Sequence, residues 1–292
     1  MPRAVEQALA LIRENRPDSI DQALALLQST VYSFSMKVCG HQQDAEDTMQ
    51  DVLLKSIPYL AKFDSPQALR VWLYKVACNQ CVSRHRGGKA SRSRNLSLDE
   101  LMPDSFELRK LLRSETPGPE ETLLNSESAE QLKQGIMAVP MQYRLVLVLH
   151  DMEDLKTKEV AQIMGLRAGT VRVRLHRARL YLRRELARLS QGGGKVTFTL
   201  HASVEEPMPS ACRRLFAALS DYMDGVIDKA ACDEMDRHLH DCEPCQVLLA
   251  SLKGAVAQCH SYRPDYDSDR AAELRRDLLP KYQQAVTAPG KI

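Results

Sequence analysis

Apolar residues recur at three- and four-residue spacing in one segment after another of this chain, the period of a helix with one buried face. Ile20, Leu24, Leu27, Val31, Phe34 and Val38 form such a row, preceded by Ser19 with Gln22 three residues on, a capping-box start. A second helix is expected from Asp44 through Met49, Val52 and Leu53 towards Pro58. A third is expected from Ser65-Pro66, a cap and a first-turn proline, and carries Leu69, Trp72, Leu73 and Val76. Strand-like alternation is confined to KVTFTLHASV near residue 200. The spacing predicts an all-α protein.

At 292 residues the chain exceeds one ordinary domain, so its breaks matter. Residues 91–128 are rich in Ser, Pro, Glu and Asp with little periodicity, the composition of a linker, and Gln191-Gly192-Gly193-Gly194 marks a second break. The expected order is an N-terminal helix (1–17), a helical module (18–94), an acidic linker (95–128), a second helical module (129–190) and a linker (191–205). A cysteine-bearing module (206–255) and a tail (256–292) with an amphipathic helix around Asp269 to Gln283 complete it. No apolar run approaches the length of a bilayer span, and the amino terminus lacks a signal-peptide stretch. A cytoplasmic location without a membrane partner is expected.

The formal net charge of +2 conceals strong segregation. Residues 84–94 hold five Lys and Arg and no acid, and residues 167–188 hold eight arginines against Glu185 alone. Residues 99–127 carry eight acids and three bases; residues 205–243 carry ten acids against four bases. Cysteines number eight. Cys39, Cys78 and Cys81 sit among apolar helical residues and read as inert small side chains.

Residues 157–177 have the pattern of a helix-turn-helix. Val160, Ala161 and Ile163 pack the first helix, Gly165 permits the turn, and Val171 and Leu175 hold the second helix. Arg167, Thr170, Arg172, Arg174 and Arg177 are then candidates to meet DNA, because arginine donates bidentately to base edges and neutralises phosphate. Asp44, Glu46 and Asp47 with Gln50 begin the second helix, where acids could simply complement the helix dipole. The third helix gives them a second meaning: Trp72, Tyr74, Asn79, Arg84 and Arg86 combine aromatic and basic groups suited to holding unstacked bases.

These residues, in this order and spacing, resemble the extracytoplasmic-function group of the sigma-70 family, over roughly residues 18–94 and 129–190. The resemblance rests on Asp44-Ala45-Glu46-Asp47 with Gln50, on Trp72-Leu73-Tyr74 with Asn79, and on Gly169-Thr170-Val171 with Arg174, Arg177 and Ala178. It implies that the Asp44 helix docks on RNA polymerase core, that the third helix and adjoining loop melt and read the minus-ten element, and that the helix-turn-helix reads the minus-thirty-five element. Leu53 stands where the family often has phenylalanine, and Ser83 where it often has aspartate.

Cys212 is followed at a distance by His238-Leu239-His240-Asp241-Cys242-Glu243-Pro244-Cys245. His238 and Cys242 are one helical turn apart, Cys242 and Cys245 can close on one ion, and Cys212 completes a tetrahedral set whose softness favours zinc. His240, Cys232, Cys259 and His260 are further candidate ligands. The segment resembles the zinc-binding anti-sigma domains, with Tyr222, Met223, Asp224 and Gly225 matching the end of their upstream helix. The expectation is a sigma factor regulated in cis by a redox or metal signal, without need of a separate anti-sigma protein. Enzymatic function is not expected: no Gly-rich phosphate loop or nucleophile elbow is present, and four zinc ligands leave no open position. A repressor would account for residues 129–190 but not for the Asp44 helix.

Overall fold

The computed structural model describes residues 2–14, 16–87, 96–103, 126–190, 210–276 and 278–287. Its helices are, in order, α1 (Pro2–Glu14), α2 (Pro17–Cys39), α3 (Gln42–Ser56), a 3-10 turn (Ile57–Lys62), α4 (Pro66–Gly87), α5 (Leu98–Leu101), α6 (Ser126–Ala138) and α7 (Met141–Leu147). A π-helical turn (Val148–Met152) leads to α8 (Thr157–Met164), α9 (Ala168–Leu189), α10 (Ser210–Phe216), α11 (Leu219–Met223), α12 (Lys229–Asp241), α13 (Glu243–Ser261), α14 (Ser268–Arg276) and α15 (Leu278–Thr287). No strand occurs among the described residues, and the stretch expected to alternate near residue 200 lies outside them. No helix among them is long and apolar enough to cross a membrane.

Two compact units result, one of residues 1–91, 158–166 and 263–292, the other of residues 92–157 and 167–262. In the first, α2 starts at Pro17, not at a Ser19 cap: Arg16 is extended and the proline takes the first turn, where its missing N–H costs nothing. Ser19 is instead buried and its hydroxyl donates to Glu14 at 2.6 Å. The helix stops at Gly40, whose φ of 77° lets its N–H return to the Met36 carbonyl at 2.9 Å, a conformation that disfavours any side chain. α3 begins two residues before the expected Asp44, after an extended His41. Ser65 caps α4 as expected, its hydroxyl accepting from the Ala68 N–H at 3.2 Å. Leu24, Leu27 and Phe34 of α2, Met49, Val52 and Leu53 of α3, and Leu69 and Leu73 of α4 form the core.

α9 is the axis of the second unit, with α5, α6, α7, α11 and α13 packed along it. α6 approaches closely because Gly135 lacks a Cβ, which would stand 3.1 Å from the Leu182 side chain. The start of the expected linker is ordered: Ser97 and Glu100 make a reciprocal capping box, Leu101 is buried, and the Leu96 N–H donates to the Tyr181 hydroxyl. Between α12 and α13, Cys242 is extended (φ −121°) and Pro244 lies in the first turn of the next helix, so one residue separates the two helices.

Candidate functional site

Three surfaces gather the residues singled out by the sequence. On α3, Asp47 and Asp51 both accept from Arg84 of α4, each at 2.9 Å, in a partly exposed clamp. Arg84, expected to face DNA, is thus held by one of the acids expected to face polymerase, because α3 and α4 pack side by side. Glu46 accepts from Gln42 at 2.8 Å and lies 3.5 Å from Arg270 of α14. Asp44 and Gln50 are half-buried.

Trp72 is also half-buried, edge-on to Phe63 at 5.8 Å and tilted against Tyr59 at 6.1 Å. Asn79 is exposed. Tyr74 is a correction: it is 2% exposed and packs 4.9 Å from Phe34, so it belongs to the core and has no face for a base. The Arg86 side chain lies outside the described residues.

In the helix-turn-helix segment, Gly165 takes φ +64°, as the turn after α8 demands, and the Leu166 N–H donates to the Ala161 carbonyl at 2.9 Å. Glu159 on α8 is buried and accepts from Gln67 at 3.0 Å and from Arg70 of α4. Arg167, Thr170 and Arg172 at the start of α9 are exposed and Arg174 is half-buried. Val173, which the charge pattern concealed, stands 58% exposed among them. Arg177 turns inward instead, donating to the Leu96 carbonyl and the Tyr143 hydroxyl, both at 3.4 Å.

One stripe of α9, at positions 172, 176 and 179, meets α11. Arg172 lies 3.8 Å from Asp221, and His176 pairs through Nδ1 with the Ser220 hydroxyl at 2.9 Å while its ring stands edge-on to Phe216. Arg179, 2% exposed, donates to both oxygens of Asp151 (2.8 and 2.7 Å) and both of Asp224 (3.0 and 2.8 Å). Burial alone would raise the Asp151 carboxyl, but hydrogen bonds from Arg179 and His150 hold it below its ordinary value. Burial pushes Asp221 up.

The third surface brings together Cys212 of α10, His238 in the last turn of α12, Cys242 between helices and Cys245 in the first turn of α13. Their ligand atoms lie within 4.8 Å of one another, with Cys212 Sγ to Cys242 Sγ at 3.8 Å and His238 Nε2 to Cys245 Sγ at 3.3 Å. A tetrahedral ion with metal–sulfur bonds of about 2.3 Å sets sulfurs about 3.8 Å apart. The donor set therefore fits zinc in number, chemistry and spacing. Burial, and then the neighbouring Cys242 thiol, push Cys212 and Cys245 up. His240 is exposed and pairs with Asp241, Cys232 pairs with Asp236, and neither Cys259 nor His260 joins the cluster.

A basic helix behind a glycine turn, an acidic helix clamped to an aromatic one, and a Cys3His cluster define a modular helical DNA-binding protein. Residues 24–91 match the family described as "Sigma-70 region 2", residues 129–182 "Sigma-70, region 4" and residues 212–246 "Putative zinc-finger". The chain is 23% identical over 186 residues to the ECF RNA polymerase sigma factor SigW of Bacillus subtilis, covering 64% of this chain and 98% of that one. It is 28% identical over 172 residues to SigE of Mycolicibacterium smegmatis (59% and 63%) and 29% over 136 residues to the sigma-E factor of Escherichia coli K12 (47% and 70%). A solved complex of the sigma factor RpoE with the anti-sigma factor NepR from Bartonella quintana is similar with a TM-score of 0.40 at 21% identity, covering 56% of this chain and 94% of that one. The chain thus carries sigma-70 regions 2 and 4 followed by an anti-sigma-like zinc-finger module, and it is similar to extracytoplasmic-function RNA polymerase sigma factors.

Proposed function

We propose that this sigma factor recruits RNA polymerase core to its promoters from the cytoplasm and is held inactive in cis by its own zinc-bearing module. In this reading Asp44, Glu46, Asp47 and Gln50 meet core, and Trp72 and Asn79 meet the minus-ten element, joined by Arg84 and Arg86. Arg167, Thr170, Arg172 and Arg174 meet the minus-thirty-five element, Val173 adds an apolar contact of the kind thymine methyls accept, and Arg177 braces the helix.

The observation that carries the reading is the stripe of α9 at Arg172, His176 and Arg179, which lies against Ser220 and Asp221 of α11 and Asp224 at its end. Asp221 stands beside Arg172, one of the residues proposed to face DNA, so docked α11 sets an acid against the edge of the recognition surface and competes with DNA there. Tethering keeps the module at high local concentration, and no separate anti-sigma protein is required. A second contact supports the same logic: Arg270 of the tail engages Glu46 in the acidic helix assigned to polymerase.

Zinc held by Cys212, His238, Cys242 and Cys245 would act as a cross-link among α10, α12 and α13. Oxidation of the thiolates, or a competing soft metal, would loosen the helices that present α11, which gives the module a redox or metal input. The test is run-off transcription with core polymerase, comparing the full chain with one stopped after Gly194. Higher output from the shorter chain is expected. Lost output would make the module an activator, and equal output with and without oxidant would remove regulation in cis.

A further inference from the structure

Outside the zinc cluster a second pair of thiols meets, one that sequence distance conceals. Cys39, the last residue of α2, and Cys81 of α4 are 42 residues apart, yet their Sγ atoms lie 3.1 Å from each other. A disulfide is about 2.05 Å long, so roughly 1 Å of approach separates the two states. Both helices are anchored, α2 by its Gly40 cap and α4 by the core, which holds the sulfurs at this separation. We propose that Cys39 and Cys81 are an oxidation site, forming a reversible disulfide when the chain meets a hydroperoxide, independent of the thiols assigned to zinc.

The exposure of the two sulfurs orders the steps. Cys39 is half-buried and is reached first; Cys81 is 1% exposed and resolves the product. The hydrogen bond shared with Cys39, and after it burial, pushes the Cys81 thiol up and keeps the proton on Cys81, so it enters as a protonated partner and not as the first nucleophile. The Cys39 thiolate attacks one peroxide oxygen, the O–O bond breaks, and Cys39 becomes a sulfenic acid as hydroxide leaves. The Cys81 sulfur then attacks the Cys39 sulfur, the S–O bond breaks, and the departing hydroxyl takes the Cys81 proton to leave as water. Two thiols are oxidised and one hydroperoxide is reduced. Cys78, one turn earlier on α4 and equally buried, makes no thiol contact in this pair. The linkage would staple the end of α2 to the helix carrying Trp72 and Asn79.

The experiment uses the full chain, reduced and loaded with zinc, then exposed to hydrogen peroxide and alkylated before tryptic mass mapping. The expected product is a monomeric species joining residues 38–55 to residues 76–84, lighter by two hydrogens than the two peptides together and cleaved by reductant. Because both Cys78 and Cys81 lie in the second peptide, C78S is mapped in parallel and is expected to give the link in undiminished yield, whereas C39S gives none. The oxidised wild type should also melt several degrees higher than the reduced form, as closing a long loop predicts. Recovery of Cys39 only as alkylated thiol or as sulfinic acid after the zinc thiols have oxidised would overturn the proposal. So would loss of the link in C78S, or a link found only between chains.

Discussion

His176 shows how much a single ring can report about the docked module. Its Nε2 is buried with no hydrogen-bond partner among the described residues, while Nδ1 is taken by Ser220. Burial first, and then the charges of Arg179 and Arg177, press its pKa down to about 4. An exposed histidine titrates near 6.5, so between those values the released or unfolded state holds a proton that the docked state refuses. The stabilisation is therefore complete above pH 6.5 and is lost as pH falls towards 4, with a loss of about 1.4 kcal/mol by pH 5.5. Asp151, whose pKa is depressed, gives way only below the carboxylate range and stays outside this window. The prediction is that urea stability drops between pH 7 and pH 5.5 in the wild type and drops by about that much less in H176Q. Parallel pH dependences in the two proteins would show that His176 is not buried under α11.

At the scale of helices, what could be read in the sequence divides cleanly from what could not. Three zinc ligands fall within eight residues because a helix end, one extended residue and a helix start are local events, so their spacing was legible. Cys212 was legible as a residue type, and only the fold brings it to 3.8 Å from Cys242. Tyr74 departs from its expected place for a reason of helical geometry: residues two apart lie about 200° around the axis, so Trp72 and Tyr74 cannot share a surface. Arg84 with Asp47 and Asp51, and Cys39 with Cys81, are pairs across helices that no periodicity announces. The short α10 and α11 have little propensity to form alone, and α12 is capped by Asp228 but buries only Met235 and Leu239. Metal ligation should supply much of their folding energy. Metal analysis is expected to find one zinc per chain, and replacing Cys242 and Cys245 together by serine should remove it along with helical circular dichroism from this module. Full helicity in a zinc-free double variant would mean that packing alone suffices.

At the scale of the whole molecule, each of the two units joins an early stretch of chain to a late one. In the unit built on α2 and α3, the late stretch is the tail. The Gln28 amide donates to the Ala271 carbonyl at 2.7 Å, Arg275 donates to Asp21 at 2.9 Å, and Tyr266 stands edge-on to Tyr32. Leu278 and Tyr282 are buried: the amphipathic pattern expected as one helix around Asp269 to Gln283 is carried by two, α14 and α15, and its apolar side packs within the same unit. One tail cation, Arg270, lies beside Glu46 of the helix proposed to meet polymerase and another, Arg275, pairs with Asp21 of α2, whereas α11 lies along α9 in the other unit. Two masks over two surfaces should then be separable. A chain stopped after Tyr262 keeps α10 to α13 and loses the tail, and it is expected to bind core polymerase more tightly while its affinity for promoter DNA alone stays as in the full chain. Reversing the two paired tail arginines, R270E with R275E, keeps the apolar contacts and should give a smaller gain, severalfold at most, because partly exposed ion pairs contribute little. Stopping after Gly194 removes both masks and should raise both affinities. Equal core affinity in the full chain and the chain ending at Tyr262 would confine regulation to α11, since a tail that truly shares its surface with polymerase must compete for it.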